Sequence, residues 1–569
     1  MKKIYIILVV VVTFFSCDLD REPYTAYTGD KINKDKEASL DILLNGCYAQ
    51  LKDWADVMHR VGEYPSDNIM IRGASTDAFF QFISYNHTTV NGRLSTFWNN
   101  SYKIISQSSD IIKMVTPGES DQLDQKLGEA YYLRGTMYFY LCRAFGRPYY
   151  DSPETNLGVP IVNGLPDDLE NLNLPDRSTV KDTYAQAIAD LEKAEEYMNE
   201  KRSASYATKE AAQAMLSRIY LYMSGTYDNP NAAYADKSIV YAKKVLDSGR
   251  YQLLSHDNFM KYNTYAPDAG GQTETIFAVK RVGSEYTGYD YYYNIGGMYS
   301  NINGMGWGEM YASAKYLDLL RKTGAKNDAR WSFVDPQFEV DKAGNKKDVF
   351  IFVAPQYIFK SGQAKVQNGY KYIQAVLNKN ADGTLKQPLE TTITEQIDVK
   401  KGDDGKDIAI TESKTYILNT IENGYYYSID FYGQTYSGEK SYLMVLNRAY
   451  PMFYVTKCSM QDGESQLHSP IMSRLAEMYL NMAEAYVKKG SYGEALTNLN
   501  IVRGRSIING EYSSLDATNA VARVDEERQL EFGFEAHRFY DVYRNGQVMS
   551  RHYPGAHDNL VDIQPDNKR

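Results

Sequence analysis

The chain has 569 residues, which is enough to bury a large core and predicts more than one domain. Its formal net charge is −10, and its basic residues are spread along the sequence, which argues against nucleic acid as a partner. Tyrosine is frequent, with 51 residues against 20 phenylalanines. We assign most of this tyrosine to helix packing and the rest to surfaces that contact sugars or proteins, because tyrosine combines an apolar face with a polar tip.

The N-terminal residues have the pattern of a bacterial lipoprotein signal. Two lysines precede an apolar run over residues 4–15 that is too short to span a bilayer, and the run ends at Ser16-Cys17. We predict a signal peptide over residues 1–16, lipidation of Cys17 and a linker over residues 17–36. An ordinary secretory signal with an incidental Cys17 is the alternative, because the residues before Ser16 match a lipobox only in part.

Helical periodicity follows the linker, and we assign residues 37–260 to the first part of a helical-repeat scaffold. The periodic segments are residues 38–58, 94–112, 124–145, 179–197, 209–223 and 234–246. A proline-rich excursion over residues 146–178 separates two of these helices. Cys47, Cys142 and Cys458 show no regular spacing, so we predict no disulfide and no zinc site and place all three cysteines in the core.

The pattern changes between residues 261 and 468, where short β-like runs are joined by turn signals. The runs cover residues 275–282, 349–359, 370–377, 407–418 and 425–431, with one helix predicted at 311–321. We interpret this region as an irregular α+β lobe inserted into the scaffold.

Helices return in the C-terminal segment, residues 469–569, with the spacing of a tetratricopeptide repeat. The repeat positions are Tyr479, Ala483, Tyr486, Gly490, Ala495 and Leu499. One such hairpin cannot bury its apolar face alone, so others must stack against it, and similar spacings recur in the first part of the scaffold. The sequence therefore predicts a mainly α protein: a tetratricopeptide-like helical-repeat scaffold with a large irregular α+β insertion.

Two irregular segments, residues 67–80 and 286–311, combine aromatic side chains with charged and amide groups. Sugar rings stack on aromatic faces, and their hydroxyl groups need charged or amide partners. We predict that the ligand is bound by Arg72, Tyr289, Tyr291 and Tyr293, and we name Trp307 as a further candidate. The tyrosine run could instead alternate along a strand, and Trp307 could be a buried anchor. The many glycines of the second segment suggest a mobile loop.

Clustered carboxylates near the C-terminus raise the alternative of a glycosidase, which uses two carboxyl groups. They are Glu526, Glu527, Glu531, Glu535 and Asp541. Arginines interleave with them at helical spacings, so we favour a salt-bridged structural helix pair. The sequence has no zinc-protease motif, nucleophile elbow or phosphate loop, and a calcium-like run at 378–389 lacks its final glutamate. We predict no catalysis, no metal and no cofactor.

Several of these segments together resemble the SusD/RagB family. The run over residues 474–485 with 495–503, the C-terminal signature over 526–541, the helices at 130–147 and 209–222, and Gly306-Trp307 carry the resemblance, which extends over nearly the whole chain. The segment at 362–446 departs most from the family pattern.

The resemblance implies a function without catalysis. Members of this family are surface lipoproteins of the outer membrane that bind an oligosaccharide or polysaccharide and deliver it to a SusC-like TonB-dependent transporter. The RagB branch implies a peptide ligand with the same transporter role. The resemblance also implies that the two aromatic segments meet on one face. A tetratricopeptide adaptor that binds protein tails is a third interpretation of the sequence.

Overall fold

The computed structural model describes residues 35–71, 78–86, 88–164, 174–324, 327–422, 426–447 and 450–551. Over these ranges the chain forms fifteen α-helices, and most of its strands lie in the second half of the chain. The predicted mainly α fold with an α+β insertion is therefore confirmed. The predicted signal peptide, Cys17 and most of the predicted linker lie outside the described residues.

The first part of the scaffold consists of long helices that pack as antiparallel neighbours. They are α1 (Lys36–Glu63), the short α2 (Phe80–Ser84), α3 (Gly92–Met114), α4 (Asp121–Phe145), α5 (Val180–Tyr197), α6 (Lys209–Met223) and α7 (Ala232–Asp247). Each long helix begins after a side chain that accepts a hydrogen bond from a backbone N–H of its first turn, which satisfies a donor that the helix cannot pair itself. These capping residues are Asp35, Asn91, Ser120, Thr179, Thr208 and Asn231.

Small residues let the paired helices approach closely. A Cβ atom at Gly135 of α4 would lie 2.9 Å from the Ala187 carbonyl oxygen of α5, so only glycine fits there. Ser217 of α6 donates to the Ser238 carbonyl of α7 at 3.0 Å. The repeat spacing predicted from the sequence therefore produces the expected close helix pairs.

A four-residue helix, α8 (His256–Phe259), leads into the α+β lobe. The next elements are β2 (Thr275–Ala278), α9 (Asp290–Tyr293), α10 (Ile295–Tyr299), β3 (Met310–Ala312), α11 (Ala314–Gly324) and β4 (Val334–Pro336). The helix predicted at 311–321 begins three residues later than expected, because Met310, Tyr311 and Ala312 pair with an early strand, β1 (Ile69–Ile71).

The lobe is built on an antiparallel sheet of five strands in the order β6-β5-β11-β10-β9. Its strands are β5 (Asp348–Ile358), β6 (Val366–Val376), β9 (Asn419–Glu422), β10 (Tyr426–Phe431) and β11 (Gln434–Tyr442). A separate two-stranded ribbon of β7 (Glu390–Lys401) and β8 (Asp407–Ile417) shares an apolar core with the sheet through Leu389 and Tyr416. The sequence pattern does not predict β7 or β11, because most of their side chains are polar.

Short strands and the C-terminal helices complete the fold. They are β12 (Leu446–Asn447), β13 (Tyr450–Pro451), β14 (Phe453–Val455), β15 (Ile471–Arg474), α12 (Leu475–Lys488), α13 (Tyr492–Ser506), α14 (Ala520–Glu531) and α15 (Arg538–Arg544). Ala483 of α12 and Ala495 of α13 are fully buried, as the repeat spacing predicts. The division of the chain at residues 261 and 469 stays a prediction.

The three cysteines of the described part are buried, as predicted, and none of them forms a disulfide with another described cysteine. Among the helices that the structure describes, none combines the length and apolar character needed to cross a membrane.

Candidate ligand-binding site

The pairing of β1 with β3 brings the two predicted binding segments together. Ile71 lies opposite Met310 in this antiparallel pair, so the chain that leads to Arg72 begins three residues from Trp307. Arg72 itself lies outside the described residues. The expectation that the early segment and the later aromatic segment meet is therefore confirmed at the level of the backbone.

The aromatic segment is held by close backbone contacts. The N–H groups of Trp307 and Gly308 both donate to the Gly297 carbonyl, at 2.7 and 3.0 Å. A Cβ atom at Gly306, whose φ is +105°, would collide with the Ser300 carbonyl oxygen, and one at Gly296 with the Cys458 carbonyl oxygen. Most glycines of this segment therefore permit tight backbone packing, and the mobility of the segment stays a prediction.

The tyrosine run forms one turn of helix, α9, preceded by Tyr289. The Asp290 carboxylate accepts a hydrogen bond from the Thr287 N–H at 3.1 Å, and Asn294 caps α10 by accepting from the Gly297 N–H at 2.7 Å. The strand alternative for residues 291–293 is therefore wrong. In a helical turn, residues three apart share a side, so Tyr289 and Tyr292 lie together while Tyr291 points elsewhere.

These rings surround an open depression of about 360 Å³, which we call the aromatic depression. It is lined by Tyr289, Tyr292, Asn301, Gly304, Gly306 and Trp307. The Tyr289 side chain is 82% exposed and that of Trp307 is 44% exposed, so both offer ring faces to solvent. The alternative that Trp307 is a buried anchor is wrong for this reason. Asn301 is exposed and supplies an amide donor and acceptor at the same place.

A layer of arginine and aromatic side chains supports the depression from below. The ring of Tyr293 lies 6.0 Å from that of Trp307 in an edge arrangement, and the guanidinium groups of Arg60 and Arg93 each lie 4.9 Å from the centre of the Tyr293 ring. The same two guanidinium groups lie 4.2 Å from the centre of the buried Phe79 ring. Such contacts fix the orientation of the rings above them.

Arg60 also anchors this layer to the scaffold. Its Nε donates to Asp56 at 2.9 Å, and its Nη2 donates to the Tyr293 carbonyl at 2.5 Å. Burial works against the charge of Arg60, but Asp56 and Tyr64 outweigh it and hold the pKa of the guanidinium above its ordinary value. Arg60 therefore remains charged and joins α1 to the aromatic segment.

The structure places the predicted ligand-binding residues in three different locations. Tyr289 and Trp307 line the depression, Tyr293 lies in the supporting layer, and the Tyr291 ring packs 6.2 Å from that of Tyr286. Tyr292 and Asn301 line the depression but are not among the predicted ligand-binding residues. The three-residue spacing of Tyr289 and Tyr292 is the signal in the sequence that could have found Tyr292. No local signal identifies Arg93, which lies on a helix some two hundred positions away.

The C-terminal carboxylates are engaged in ion pairs, as predicted. Glu527 accepts from Arg330 at 2.6 Å, Glu531 from Arg474 at 2.6 Å, and Asp541 from Arg528 at 3.0 Å. Burial alone would raise the pKa of Glu535, but Arg474 and Lys457 outweigh it and lower this pKa. These carboxylates form structural ion pairs, and Glu526 pairs with Lys322 at the surface.

Family comparisons agree with this architecture. A model described as SusD family matches residues 273–567, more than half of the chain. The chain belongs to the SusD family. A second model, described as "Starch-binding associating with outer membrane", matches residues 19–221 of this SusD-family chain.

Individual relatives of this SusD-family protein are distant in sequence. The SusD-like protein P2 of Formosa agariphila is 22% identical over 577 residues, which cover 96% of this chain and 91% of that protein. A SusD superfamily protein from Bacteroides thetaiotaomicron has a TM-score of 0.66 at 21% identity, covering 93% of this chain and 95% of that one. A structure titled SusD-like carbohydrate binding protein, from Bacteroides vulgatus, has a TM-score of 0.59 at 16% identity, covering 93% and 89%. These likenesses establish the shared fold.

Proposed function

We propose that this chain is a non-catalytic lipoprotein of the outer membrane that binds an oligosaccharide or polysaccharide in the aromatic depression. The observation that carries the proposal is that Tyr289 and Trp307 are exposed around an open depression, above a layer of packed arginine and aromatic side chains. Ring faces stack on the C–H patches of sugars, and the Asn301 amide provides hydrogen bonds for their hydroxyl groups.

The support of the depression favours binding without a large rearrangement. Trp307 is fixed by its backbone bond to Gly297, and Tyr293 is held between arginine side chains. A site whose rings are already in place loses little conformational entropy when the ligand binds. The open shape of the depression also suits an internal stretch of a long chain, because both ends of the ligand can leave it.

The proposal includes delivery of the glycan to a SusC-like TonB-dependent transporter. It is supported by the family membership and by the predicted lipidation at Cys17, which anchors a protein to a membrane without spanning it. Isolation of the full chain from detergent-solubilised membranes should recover an outer-membrane barrel. Recovery of only a soluble partner would instead support the tetratricopeptide adaptor.

A binding screen and one pair of substitutions test the glycan proposal. The full chain in detergent is screened against glycans and peptides, and a ligand found in this way is then titrated by calorimetry. Tyr289→Ala and Trp307→Ala should each weaken binding by about 1–3 kcal/mol, on the scale of aromatic anchors at interfaces.

The matched control is Tyr265→Ala, because Tyr265 is 53% exposed and lies outside the depression. It should leave the affinity unchanged. An affinity of the Tyr289→Ala/Trp307→Ala double variant within twofold of the parent would move the site elsewhere. Binding of peptides and of no glycan would support the RagB-like alternative.

A further inference from the structure

A larger cleft lies between helix α11 and the five-stranded sheet of the lobe. It has a volume of about 570 Å³, within the size range of small-molecule sites. We call it the lobe cleft and define it by Asp318 and Arg321 from α11 and by Val353, Tyr372, Ser437 and Glu439 from the sheet. None of these residues belongs to the aromatic depression.

The register of the sheet places apolar and aromatic side chains on the floor of the lobe cleft. Val353 of β5 lies opposite Tyr372 of β6, and Glu439 of β11 lies between Ile351 of β5 and Tyr426 of β10. Ile351 is buried and Val353 is half-buried, while Phe350, on the opposite side of the same strand, belongs to the core shared with the ribbon. The floor therefore offers a partly apolar surface formed by Val353 and the half-buried ring of Tyr426, while Tyr372 is buried.

Part of the backbone on this floor is committed to sheet pairing. On the floor Gly438 of β11 pairs with Phe352 of β5, and Glu439 pairs with Tyr426 of β10, so these backbone groups are committed to the sheet, but the β5–β11 pairing does not continue to Val353 and Ser437. A peptide that binds by adding a strand needs a free sheet edge. We therefore expect side chains to make most of the contacts with a ligand in the lobe cleft.

The charges of the lobe cleft balance. Arg321 Nε donates to Glu439 Oε1 at 3.0 Å, and Lys322 at the rim pairs with Glu526 at 2.6 Å. The Asp318 side chain is exposed and interacts electrostatically with Arg321, and among the described residues its carboxylate accepts no side-chain hydrogen bond. The four charged side chains of the lining, two acidic and two basic, have a formal net charge of zero, although Lys322 is paired with Glu526 outside the lining. Such a lining favours neither an anionic nor a cationic ligand.

A neutral saccharide fits this combination of features. Its C–H faces match the Tyr426 ring and the Val353 side chain, and the Asp318 carboxylate and the Ser437 hydroxyl can bond to sugar hydroxyl groups. We propose that the lobe cleft is a second binding site, specific for neutral saccharides and separate from the aromatic depression. This inference rests on the proposed function for its ligand class. Two sites on one chain would raise the avidity for a polysaccharide that reaches both.

Hydroxyl-radical footprinting of the full chain in detergent distinguishes the two sites. The probes are neutral maltoheptaose, xylohexaose and laminarihexaose, with an anionic alginate hexamer as the charged comparison. Protection is read at Tyr426 and Ile421 for the lobe cleft and at Tyr289 and Trp307 for the aromatic depression. At least one neutral probe should protect the lobe cleft, and the alginate hexamer should not.

Two variants and one control assign the protection to the lobe cleft. Ser437→Trp should fill the exposed rim and remove the protection of Tyr426, while the protection of Trp307 stays unchanged. Asp318→Asn keeps the shape of the side chain and should weaken binding in the lobe cleft about tenfold, as expected for the loss of one hydrogen bond to a charged group. Thr411→Trp places the same bulk on the exposed ribbon and should change neither site.

The possible results separate this inference from the proposed function. Protection at Tyr289 and Trp307 alone would overturn the lobe cleft as a site and leave the proposed function standing. Equal protection of Tyr426 by the alginate hexamer would overturn its specificity for neutral saccharides. If none of the probes protects Tyr426, the lobe cleft is not a saccharide site, whatever protection is seen at the aromatic depression.

Discussion

Arg538, near the end of the described chain, is bonded to Asp67, near its beginning. The Arg538 Nε lies 2.8 Å from Asp67 Oδ1, and Nη2 lies 3.3 Å from Oδ2. Burial alone would raise the pKa of Asp67, but Arg538 and Lys315 outweigh it and hold this pKa well below its usual range. Asp67 lies two residues before β1, which pairs with β3. Arg538 is the first residue of helix α15, so this ion pair joins the C-terminal signature to the backbone of the binding face.

Replacement of Arg538 should destabilise the protein strongly. Arg538→Ala leaves the carboxylates of Asp67 and Asp525 without this partner, and loss of one member of a buried ion pair costs about 3–5 kcal/mol. Thermal unfolding measures the effect. The control is Arg523→Ala, which removes a half-buried arginine that donates to the Ser514 carbonyl and should cost less. Weaker ligand binding at an unchanged melting temperature would show instead that Arg538 contacts the ligand.

Gly306→Ala should disrupt the aromatic depression. The residue has a φ of +105°, and its new Cβ atom would collide with the Ser300 carbonyl oxygen, which belongs to the backbone and cannot move alone. The control is Gly304→Ala, with a φ of +82° and no atom within 4 Å of the added Cβ. That control should cost only the strain of a left-handed conformation, about 1–2 kcal/mol. Equal losses of stability in the two variants would contradict the packing role of Gly306.

The buried Glu63 should make stability depend on pH near neutrality. Burial raises the pKa of Glu63 from 4.5 to about 7, although Asn68 and the Ala536 N–H, which donate to it, oppose the shift. A carboxyl group with a raised folded-state pKa holds its proton more tightly in the folded protein. Its contribution to stability is therefore complete below pH 4.5 and is lost as the pH rises toward 7.

Glu63→Gln tests this dependence because glutamine stays neutral. The melting temperature of the variant relative to the parent should rise between about pH 5 and about pH 8, since only the parent loses stability over this range. Differential scanning calorimetry at several pH values measures the difference. A difference that stays constant across the range would show that Glu63 is already ionised at the acidic end.

Lipidation of Cys17 remains a prediction of the sequence. Cys17→Ala should move the protein from the membrane fraction to the soluble fraction without changing its melting temperature, because Cys17 precedes the predicted helical scaffold in the sequence. Fractionation followed by immunoblotting measures the distribution. Cys47→Ala is the matched control, since Cys47 is buried in α1 and should stay with the membrane. Membrane retention of the Cys17 variant would mean that another feature holds the protein there.

Much of the scaffold could be predicted from local sequence signals. Helix α5 begins after Thr179 and α6 begins after Thr208, where a hydroxyl group caps the first turn and apolar periodicity starts. The small residues of the repeat, such as Ala483 and Ala495, likewise indicate close helix pairing. These signals are reliable because the interactions behind them involve residues within a few positions of one another or a regular spacing along the chain.

The exposed strands of the lobe were harder to predict from the sequence. Strand β7 consists mostly of threonine, glutamate and lysine, because both faces of a two-stranded ribbon are largely exposed to water. The alternation of apolar and polar residues that predicts a half-buried strand is therefore weak there. The lobe cleft also has no sequence signature, since its lining comes from α11 and from several strands of the sheet.

The sequence by itself determined the family, the helical scaffold and the segment that carries the candidate binding rings. Only the tertiary structure decided which rings are accessible: Tyr289 and Trp307 face solvent, whereas Tyr293 is covered by Arg60 and Arg93. The physical reason is that composition records which side chains are present, while exposure depends on neighbours supplied by distant helices. Here those neighbours lie on α1 and α3, two hundred or more positions from the tyrosine that they cover.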